Sequence, residues 1–567
     1  MARFFKFASF FLFGAVTLAV AYFAFARRGA SVEDNSTLYL RLEAPMNEAG
    51  ATSLLSPFLS EQTTLRDMVA MLHRASTDPH VKNVVIMPVS GGAMWAQLQE
   101  LRAAVVELRQ AGKPVTAFLE SGGAAEYYLA SAANRVLMMP GGSLDLSGVA
   151  TYELFFRGAL DKLGVVPDLV HIGDYKTYTN TFTEKSMTVA HREMNASLNR
   201  DFYDELVRAI ADGRRKPEAE IRAALDRGPY LGGDAVAAGL VDALAYEDQI
   251  DDAPPVAGTH RLSAEDYGVH GDSAPFRAPK IAVLYATGEI ASGGSAVQPT
   301  GGSVLGSDTF VEWIRSARAD QSIRAIVLRI DSPGGSAVAS EVIWRELMLT
   351  RDVKPLIVSM GDVAASGGYY IAVPAHAIVA QPGTLTGSIG IVTGKFVVAG
   401  ALEKLGVGTG VVTDGAMADM NSPFREFTPA ERAKVDAQMH TTYADFVAKV
   451  ATARHSTPEK INAMAQGRVW TGRQARERGL VDALGGLTDA IALAKSHAHI
   501  EASTRVSLVV YPGRRSVLDV VSNPFGVASA DSRTGLGVLT RASAMLAQLR
   551  RYRPGEPLML MPNVFWQ

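Results

Sequence analysis

The 567-residue sequence predicts an α/β protein that contains two copies of one strand–helix template behind an apolar N-terminal helix. The first observation is that several segments recur about 242 positions apart. The second is that short β-branched runs, such as residues 325–330, alternate with amphipathic stretches, such as Trp95–Gln110. The third is an uncharged apolar run at Phe7–Ala26. Alternation of this kind implies parallel strands joined by right-handed crossovers within each copy.

The apolar run at Phe7–Ala26 predicts a membrane anchor within residues 1–28. At about 1.5 Å per helical residue, its length matches the roughly 30 Å hydrocarbon layer of a bilayer. Two basic residues stand on each side of the run, so charge alone leaves its orientation open. A cleaved signal peptide has a shorter apolar stretch, of about 7–15 residues, followed by small residues. The exit Ala24-Phe25-Ala26 loosely fits that pattern, so cleavage stays open as an alternative.

The repeat indicates an internal duplication, and its limits predict the domains. DPHVKNVVIM from Asp78 lines up with DQSIRAIVLR from Asp320, and GLVDAL occurs at residues 239–244 and again at 479–484. Chance similarity would not hold so constant a spacing. A stretch rich in Pro, Gly and Asp, residues 251–275, resembles a linker. We therefore predict the following divisions: an N-terminal half at 29–260, a C-terminal half at 261–500, and a tail at 501–567 with no assigned role.

Composition and charge exclude several classes of function. The net charge of −3 argues against nucleic acid as the main partner, because phosphate binding needs a basic surface. The chain has no cysteine, which excludes thiolate catalysis, disulfide bonds and cysteine metal sites. It also has no HExxH motif, so a zinc hydrolase would lack ligands. We predict no metal and no cofactor.

Ser366 is the candidate nucleophile. It lies in GDVAASGG, where a predicted strand meets a helix, and the first copy has Ala124 at the matching position. The preceding strand ends in DSPGGS, residues 331–336, whose glycines allow backbone N–H groups to face a cleft. Acyl transfer needs a hydroxyl nucleophile beside such donors, which hold the oxyanion. The alternative is that Ser366 only caps the following helix.

Lys176 is the candidate base. His376 is expected at the far end of the helix that follows Ser366, and no GxSxG motif is present. Lysine is the other base used with serine, and Lys176 stands opposite Ala418 in the second copy. Each copy thus keeps one group that the other has lost, which predicts one composite site shared by both halves. The alternative is that Lys176 is an ordinary surface lysine.

A lysine base must be uncharged. At the usual pKa near 10.4, only about one amine in 2,500 is neutral at pH 7. We therefore expect Lys176 to be buried at the seam between the halves, or between subunits, or to lie near other cations.

Four motifs together resemble the signal peptide peptidase A family, in its long, membrane-anchored bacterial form with two fused halves. They are DSPGG (331–335), GDVAASGGYY (361–370), TGSIG (386–390) and GDYKTYTNTFTEKSMT (173–188). The resemblance extends from the anchor to the second GLVDAL. One departure is Thr177, where many relatives have serine after the lysine.

The resemblance implies a ClpP/crotonase-like fold and a serine peptidase that digests cleaved signal peptides and other hydrophobic peptides. It implies a homotetramer on the periplasmic side of the bacterial inner membrane, held to the lipid bilayer by the N-terminal helix. An extended peptide would bind through main-chain hydrogen bonds, with side chains in alternate pockets. The implied site residues are the nucleophile Ser366, the general base Lys176, the helper hydroxyl Ser388, and the oxyanion-hole amides of Gly334 or Gly335 and Gly367. Two alternatives stay open from the sequence: a crotonase-like acyl-CoA enzyme and a non-catalytic membrane scaffold. Cleavage-site preference does not follow from the sequence.

Overall fold

The structure is a computed structural model, and it describes residues 32–49, 63–90, 94–268, 275, 277–297, 303–513, 555–561 and 565–566. The predicted anchor at Phe7–Ala26 lies outside the described residues. In the part of the chain that is described, no helix combines the length and the apolarity needed to cross a bilayer.

The first half contains a six-stranded parallel sheet. Its strands in chain order, with two-residue strands included, are β1 (Ser36–Ala44), β2 (Val81–Ser90), β3 (Val115–Leu119), β4 (Arg135–Met138), β5 (Ser143–Leu144), β6 (Thr151–Tyr152), β7 (Val166–Ile172), β8 (Tyr230–Leu231), β9 (Ala243–Leu244) and β10 (His260–Ser263). The spatial order of the sheet is β10–β1–β2–β3–β4–β9. Strands β2 and β3 are buried along nearly their whole length, as expected for a parallel sheet covered on both faces.

The second half repeats this arrangement. Its strands are β11 (Lys280–Thr287), β12 (Glu289–Ala291), β13 (Ala296–Val297), β14 (Ser303–Gly306), β15 (Ile323–Ser332), β16 (Gly334–Ser336), β17 (Leu356–Ala365), β18 (Ala377–Ala380), β19 (Leu385–Gly387), β20 (Ile391–Val397), β21 (Val469–Thr471), β22 (Ala483–Leu484), β23 (Ser507–Tyr511), β24 (Leu558–Leu560) and β25 (Phe565–Trp566). Parallel pairing gives the order β23–β11–β15–β17–β18–β22. This order matches that of the first sheet strand for strand, which confirms the duplicated α/β architecture. Strand β23 lies within the segment that the sequence left as a tail.

Helices cover the sheets, as the amphipathic patterns predict. The helices of the first half are Leu65–Thr77, Trp95–Gln110, Ala124–Ala130, Arg157–Leu163, Asn180–Thr183, Val189–Arg214, Glu218–Leu225, Gly232–Ala237, Asp248–Asp251 and Ala264–Gly268. Those of the second half are Ser307–Ala319, Ala337–Arg351, Gly367–Ala372, Ala399–Lys404, Pro429–Ala453, Pro458–Met464, Gly472–Glu477 and Leu487–His497. The predicted helix Trp95–Gln110 has these same limits in the structure.

A third sheet joins the two halves. Its order is β13–β14–β12–β16–β24–β20–β7, so β7 of the first half pairs with β20 of the second. That pair is antiparallel and runs from Val166 opposite Val397 to Ile172 opposite Ile391. Strand β24 lies between β16 and β20 and pairs antiparallel with both. The seam between the halves is therefore hydrogen-bonded through main chain.

A buried ion cluster also holds the seam. Arg329 of the second half is fully buried and contacts Glu48 at 2.8 Å and Glu100 at 2.7 Å, both from the first half. Glu100 in turn accepts a hydrogen bond from the Leu487 amide at 3.3 Å, at the start of a helix of the second half. Because buried charges are costly without partners, this cluster favours one relative placement of the two halves.

Candidate active site

The pairing of β7 with β20 determines where two candidate residues lie. Ile172 is opposite Ile391 at the end of this antiparallel pair. Lys176 follows Ile172 by four residues, and Ser388 precedes Ile391 by three, so both extend beyond the same end. The chain at Lys176 then begins a short 3₁₀ helix, Thr177–Thr179. The duplication thus brings a lysine of one half beside a serine of the other.

Ser366 lies where β17 ends and the helix Gly367–Ala372 begins. Its backbone has φ 56° and ψ −112°, a conformation that a non-glycine residue adopts only under strain. The amide of Ser366 donates to the Gly387 carbonyl at 2.8 Å, which holds the turn in place. The Ser366 side chain makes no capping hydrogen bond to the helix. The Ser366 hydroxyl therefore does not cap the following helix, which was the alternative left open by the sequence.

Three short contacts surround the Lys176 amine. Its Nζ atom lies 2.7 Å from Ser366 Oγ, 2.9 Å from the Ser388 carbonyl oxygen and 3.0 Å from Ser388 Oγ. A neutral amine has two N–H donors and one lone pair. The two oxygens of Ser388 can accept the two N–H groups, which leaves the lone pair for the hydroxyl hydrogen of Ser366. The arrangement suits removal of a proton from Ser366.

Burial changes the ionisation of Lys176. The side chain has no exposed surface, so it is not the surface lysine of the alternative interpretation. Burial lowers the pKa of the Lys176 ammonium well below its usual value of 10.5, because the charged form loses its hydration. The sequence left two ways to keep the amine neutral, burial and nearby cations. In the structure the cause of the lowered pKa is burial.

A glycine of the second half allows this close packing. A Cβ atom at Gly467 would lie 2.4 Å from the Cβ atom of Lys176. Next to it, the Gln466 carbonyl accepts a hydrogen bond from the Tyr175 amide at 2.9 Å. The sequence interpretation did not include Gly467, since its partner is almost 300 positions away.

The three candidate oxyanion glycines lie together. A Cβ atom at Gly367 would be 3.0 Å from Gly334 Cα and 3.1 Å from the Gly335 amide nitrogen. Gly334 has φ 100°, which favours glycine, and its amide donates to Ser332 Oγ at 3.2 Å. The DSPGGS segment is not the open loop that the sequence suggested, because Gly334–Ser336 forms strand β16. The Gly367 amide belongs to the first turn of a helix, where N–H groups lack partners within the helix.

Two residues considered from the sequence take no part in the site. His376 Nδ1 accepts a hydrogen bond from the Leu356 amide at 3.1 Å. This bond holds His376 against the first residue of β17. The Thr177 hydroxyl is buried, yet it makes no hydrogen bond to the Lys176 amine among the described contacts. The carbonyl of Ser388 does contact the amine, although no sequence motif marks a main-chain acceptor.

Several known proteins are similar to this chain in sequence. The signature of Peptidase family S49 matches residues 107–253 and again 349–501, one match in each half. The serine protease SPPA of Arabidopsis thaliana chloroplasts is 34% identical over 449 residues, spanning 77% of this chain and 66% of that protein. Protease 4 of Salmonella typhi is 36% identical over 479 residues, spanning 81% of this chain and 76% of that protein. Protease 4 of Haemophilus influenzae is 30% identical over 451 residues, spanning 75% and 71% respectively.

Proposed function

Because this chain belongs to Peptidase family S49 and is a serine peptidase, we propose that Ser366 is its nucleophile and Lys176 its general base. The observation that carries the proposal is the 2.7 Å contact between Lys176 Nζ and Ser366 Oγ. Both groups are fully buried, and the pKa of the lysine is lowered, as a neutral base requires.

The reaction proceeds in two acyl-transfer steps. The neutral Lys176 amine takes the hydroxyl proton as Ser366 Oγ attacks the carbonyl carbon of the scissile peptide bond. The Gly367 amide, with that of Gly334 or Gly335, stabilises the negative charge that develops on the carbonyl oxygen. The lysine ammonium then gives its proton to the leaving amine, and the acyl-enzyme remains on Ser366. The neutral lysine then takes a proton from water as the water oxygen bonds to the acyl carbon. The ester bond to Ser366 Oγ breaks, the second product leaves with a new carboxyl group, and the lysine ammonium returns the proton to Ser366 Oγ.

Ser388 is a positioning residue in this scheme. Its hydroxyl and its carbonyl both contact Nζ, so they orient the lone pair towards Ser366 without adding charge. Uncharged partners suit a lysine that must lose its proton, whereas a carboxylate would favour the ammonium form.

We further propose that the substrates are cleaved signal peptides and other apolar peptides, bound in extended form. The resemblance to signal peptide peptidase A supports this substrate class. It also supports a ClpP/crotonase-like fold for each half and assembly as a homotetramer. We place the limits of the two halves later than the 29–260 and 261–500 of the sequence, because β10 of the first sheet extends to Ser263 and β23 of the second sheet extends to Tyr511. The apolar run at Phe7–Ala26 supports a single membrane anchor. The resemblance supports a position of the peptidase on the periplasmic side of the inner membrane. The acyl-CoA enzyme and the scaffold receive no such support, since the relatives are proteases.

Digestion of synthetic signal peptides tests the proposal. The purified full-length protein is incubated with signal peptides and with polar peptides of equal length, and mass spectrometry locates the cleaved bonds. We expect cleavage within the apolar segments and little cleavage of the polar peptides. Equal cleavage of both sets would contradict the substrate assignment, and cleavage by a Ser366→Ala variant would contradict the nucleophile.

A further inference from the structure

The candidate site is closed in this structure. The side chains of Ser366, Lys176 and Ser388 have no exposed surface, and Gly334 and Gly367 are buried as well. A peptide bond has to reach Ser366 Oγ for cleavage to occur. Some element that covers the serine must therefore move before a substrate binds.

Among the described elements, strand β24 lies next to the candidate oxyanion glycines. It runs antiparallel to β16, with Leu558 opposite Ser336 and Leu560 opposite Gly334, and on its other side Leu558 pairs with Val392 of β20. Strands β16 and β20 do not pair with each other, so β24 fills a gap one strand wide. On one side of the gap, β16 contains the candidate oxyanion glycines Gly334 and Gly335. On the other side, β20 begins at Ile391, three residues after Ser388.

Main-chain hydrogen bonds at both ends hold β24 in the gap. The Met561 amide donates to the Pro333 carbonyl at 3.0 Å, and the Ala337 amide donates to the Pro557 carbonyl at 3.2 Å. These bonds involve no particular side chain of the tail. Any extended peptide of the same direction can make them, which is how peptides add to sheet edges.

The Met559 carbonyl lies against the oxyanion glycines. A Cβ atom at Gly334 would be 1.9 Å from the Met559 carbonyl oxygen and 2.6 Å from the Gly367 amide nitrogen, so those two atoms are at most 4.5 Å apart. A peptide carbonyl oxygen thus lies within 4.5 Å of the amide nitrogen of the residue that follows Ser366. This is the region in which a substrate carbonyl has to lie.

The side chains of the segment are apolar and buried. Met559 packs into the core cluster of the second half, and Met561 packs into that of the first half. Leu560, between them, is also buried. An occupant of this gap therefore gains by burying apolar side chains, which matches the class of peptide proposed as substrate.

We propose that residues 556–561 occupy the peptide-binding channel between β16 and β20 as an internal competitor of the substrate. The proposal rests on the proposed function of Ser366. While β24 is docked the enzyme is inactive, and release of the segment opens a channel for an extended apolar peptide running antiparallel to Gly334–Ser336. Activity then depends on the fraction of molecules in which the segment is released.

A reversible cross-link tests the proposal in the full-length chain. Val392→Cys and Leu558→Cys place two cysteines at paired positions in a protein that has none of its own. Cα atoms of opposite residues in antiparallel strands are about 4.5–5.5 Å apart, within the range of a disulfide. Readouts are cleavage of an apolar peptide and labelling of Ser366 by a serine-directed β-lactone. The Leu558→Cys variant alone is the matched control, because it cannot form the cross-link.

We expect oxidation to lower both rates at least about 10-fold in the double variant, and reduction to restore them. The control variant should not respond to oxidation. An oxidised, cross-linked enzyme that cleaves and labels as fast as the reduced one would overturn the proposal, as would failure of the cysteines to cross-link. Absence of labelling both in the reduced state and in a full-length Met559→Asp, Met561→Asp variant, which disfavours docking, would instead overturn the assignment of Ser366.

A second variant separates inhibition from a purely structural role of β24. In the full-length chain, Met559→Asp with Met561→Asp disfavours docking, because each carboxylate would have to be buried. We expect faster labelling of Ser366, by about 10-fold or more if the docked form predominates. A synthetic peptide PGEPLMLMP should inhibit this variant competitively, whereas the same peptide with proline in place of Met559 should not. Slower labelling together with a lower unfolding temperature, and no effect of the peptide, would show that β24 is only structural.

Discussion

Lys176 and Ser366 are 190 residues apart in the sequence, and their side chains meet at 2.7 Å across the seam of the two halves. The antiparallel pair of β7 and β20 produces this contact, since it extends Lys176 and Ser388 from the same end. Neither half contains both groups. The duplicated fold therefore has one candidate site of this kind, and that site depends on the docking of the halves.

Removal of either group should abolish peptide cleavage. We expect Ser366→Ala and Lys176→Ala each to lower kcat/KM by roughly 10³-fold or more, because groups that act as a unit fail together. The rate of cleavage of an apolar peptide is the measurement, and thermal unfolding checks that the fold survives. Ser131→Ala is a matched control, since the hydroxyl of this buried serine bonds Arg102 and the Tyr128 carbonyl and has no described hydrogen bond to Ser366 or Lys176. Near-normal turnover by Lys176→Ala would refute the base assignment.

The pH dependence of activity should follow the lowered pKa of Lys176. The base works only when neutral, so activity is lost as pH falls through the pKa of the folded enzyme and is retained above it. We expect kcat/KM to rise with pH and to reach its plateau well below the usual lysine pKa of 10.5. A pH–rate profile measures this. A profile that keeps rising up to about pH 10 would mean that the lysine is not desolvated, or is not the base.

The same pKa predicts how stability varies with pH. Between the lowered folded pKa and 10.5, the unfolded chain binds a proton on Lys176 that the folded chain does not. The free energy of unfolding contributed by this group therefore rises with pH across that window. Relative to Lys176→Met, the unmodified chain should become steadily more stable in urea unfolding as pH rises from the lowered pKa of Lys176 towards 10.5. Ser366→Ala keeps the lysine and should keep the slope; equal slopes in all three proteins would contradict the prediction.

Loss of the Ser388 hydroxyl should have a smaller effect. Ser388→Ala removes one acceptor of the Lys176 amine but leaves the carbonyl contact at 2.9 Å. A neutral hydrogen bond contributes about 0.5–1.5 kcal/mol, which corresponds to a decrease in kcat of about 2- to 12-fold. Steady-state kinetics on an apolar peptide, with Ser131→Ala as control, measures the decrease. A loss as large as that of Lys176→Ala would mean that Ser388 does more than position the amine.

The buried ion cluster should contribute to the docking of the halves. Arg329→Met leaves Glu48 and Glu100 buried without their cation, and we expect a loss of about 3–5 kcal/mol in the free energy of unfolding. A neutral glutamine at positions 48 and 100 does not need a buried cation beside it. Adding Glu48→Gln and Glu100→Gln to Arg329→Met should therefore recover part of the lost free energy of unfolding. Urea unfolding monitored by fluorescence measures both. No recovery in the triple variant would show that packing of the arginine, rather than its charge, is what matters.

The sequence predicted the features that repeat and missed those that depend on distant partners. The spacing of 242 positions identified the duplication, and the matched losses at Ala124 and Ala418 singled out Ser366 and Lys176. Periodicity located the helix Trp95–Gln110, because a helix is determined by its own neighbouring residues.

Strand β24 could not be predicted in this way. It has three residues, and its partners Gly334–Ser336 and Val392 lie more than 160 positions away. A run as short as LMLM between prolines has no periodicity that distinguishes a strand from a loop. Gly334 and Gly335, which the sequence predicted to lie in an open loop, instead form part of β16. There they permit the backbones of Met559 and Ile290 to approach closely.

The rate at which a serine-directed β-lactone acylates Ser366, measured as a function of pH in the unmodified chain and in Lys176→Ala, is the most direct test of the shared site. Mass spectrometry of the intact protein and of its peptides gives both the rate and the labelled residue. We predict labelling at Ser366 with a pH midpoint well below 10.5, and a loss of roughly 10³-fold without the lysine. Labelling at another residue, or an equal rate in both proteins, would contradict the account.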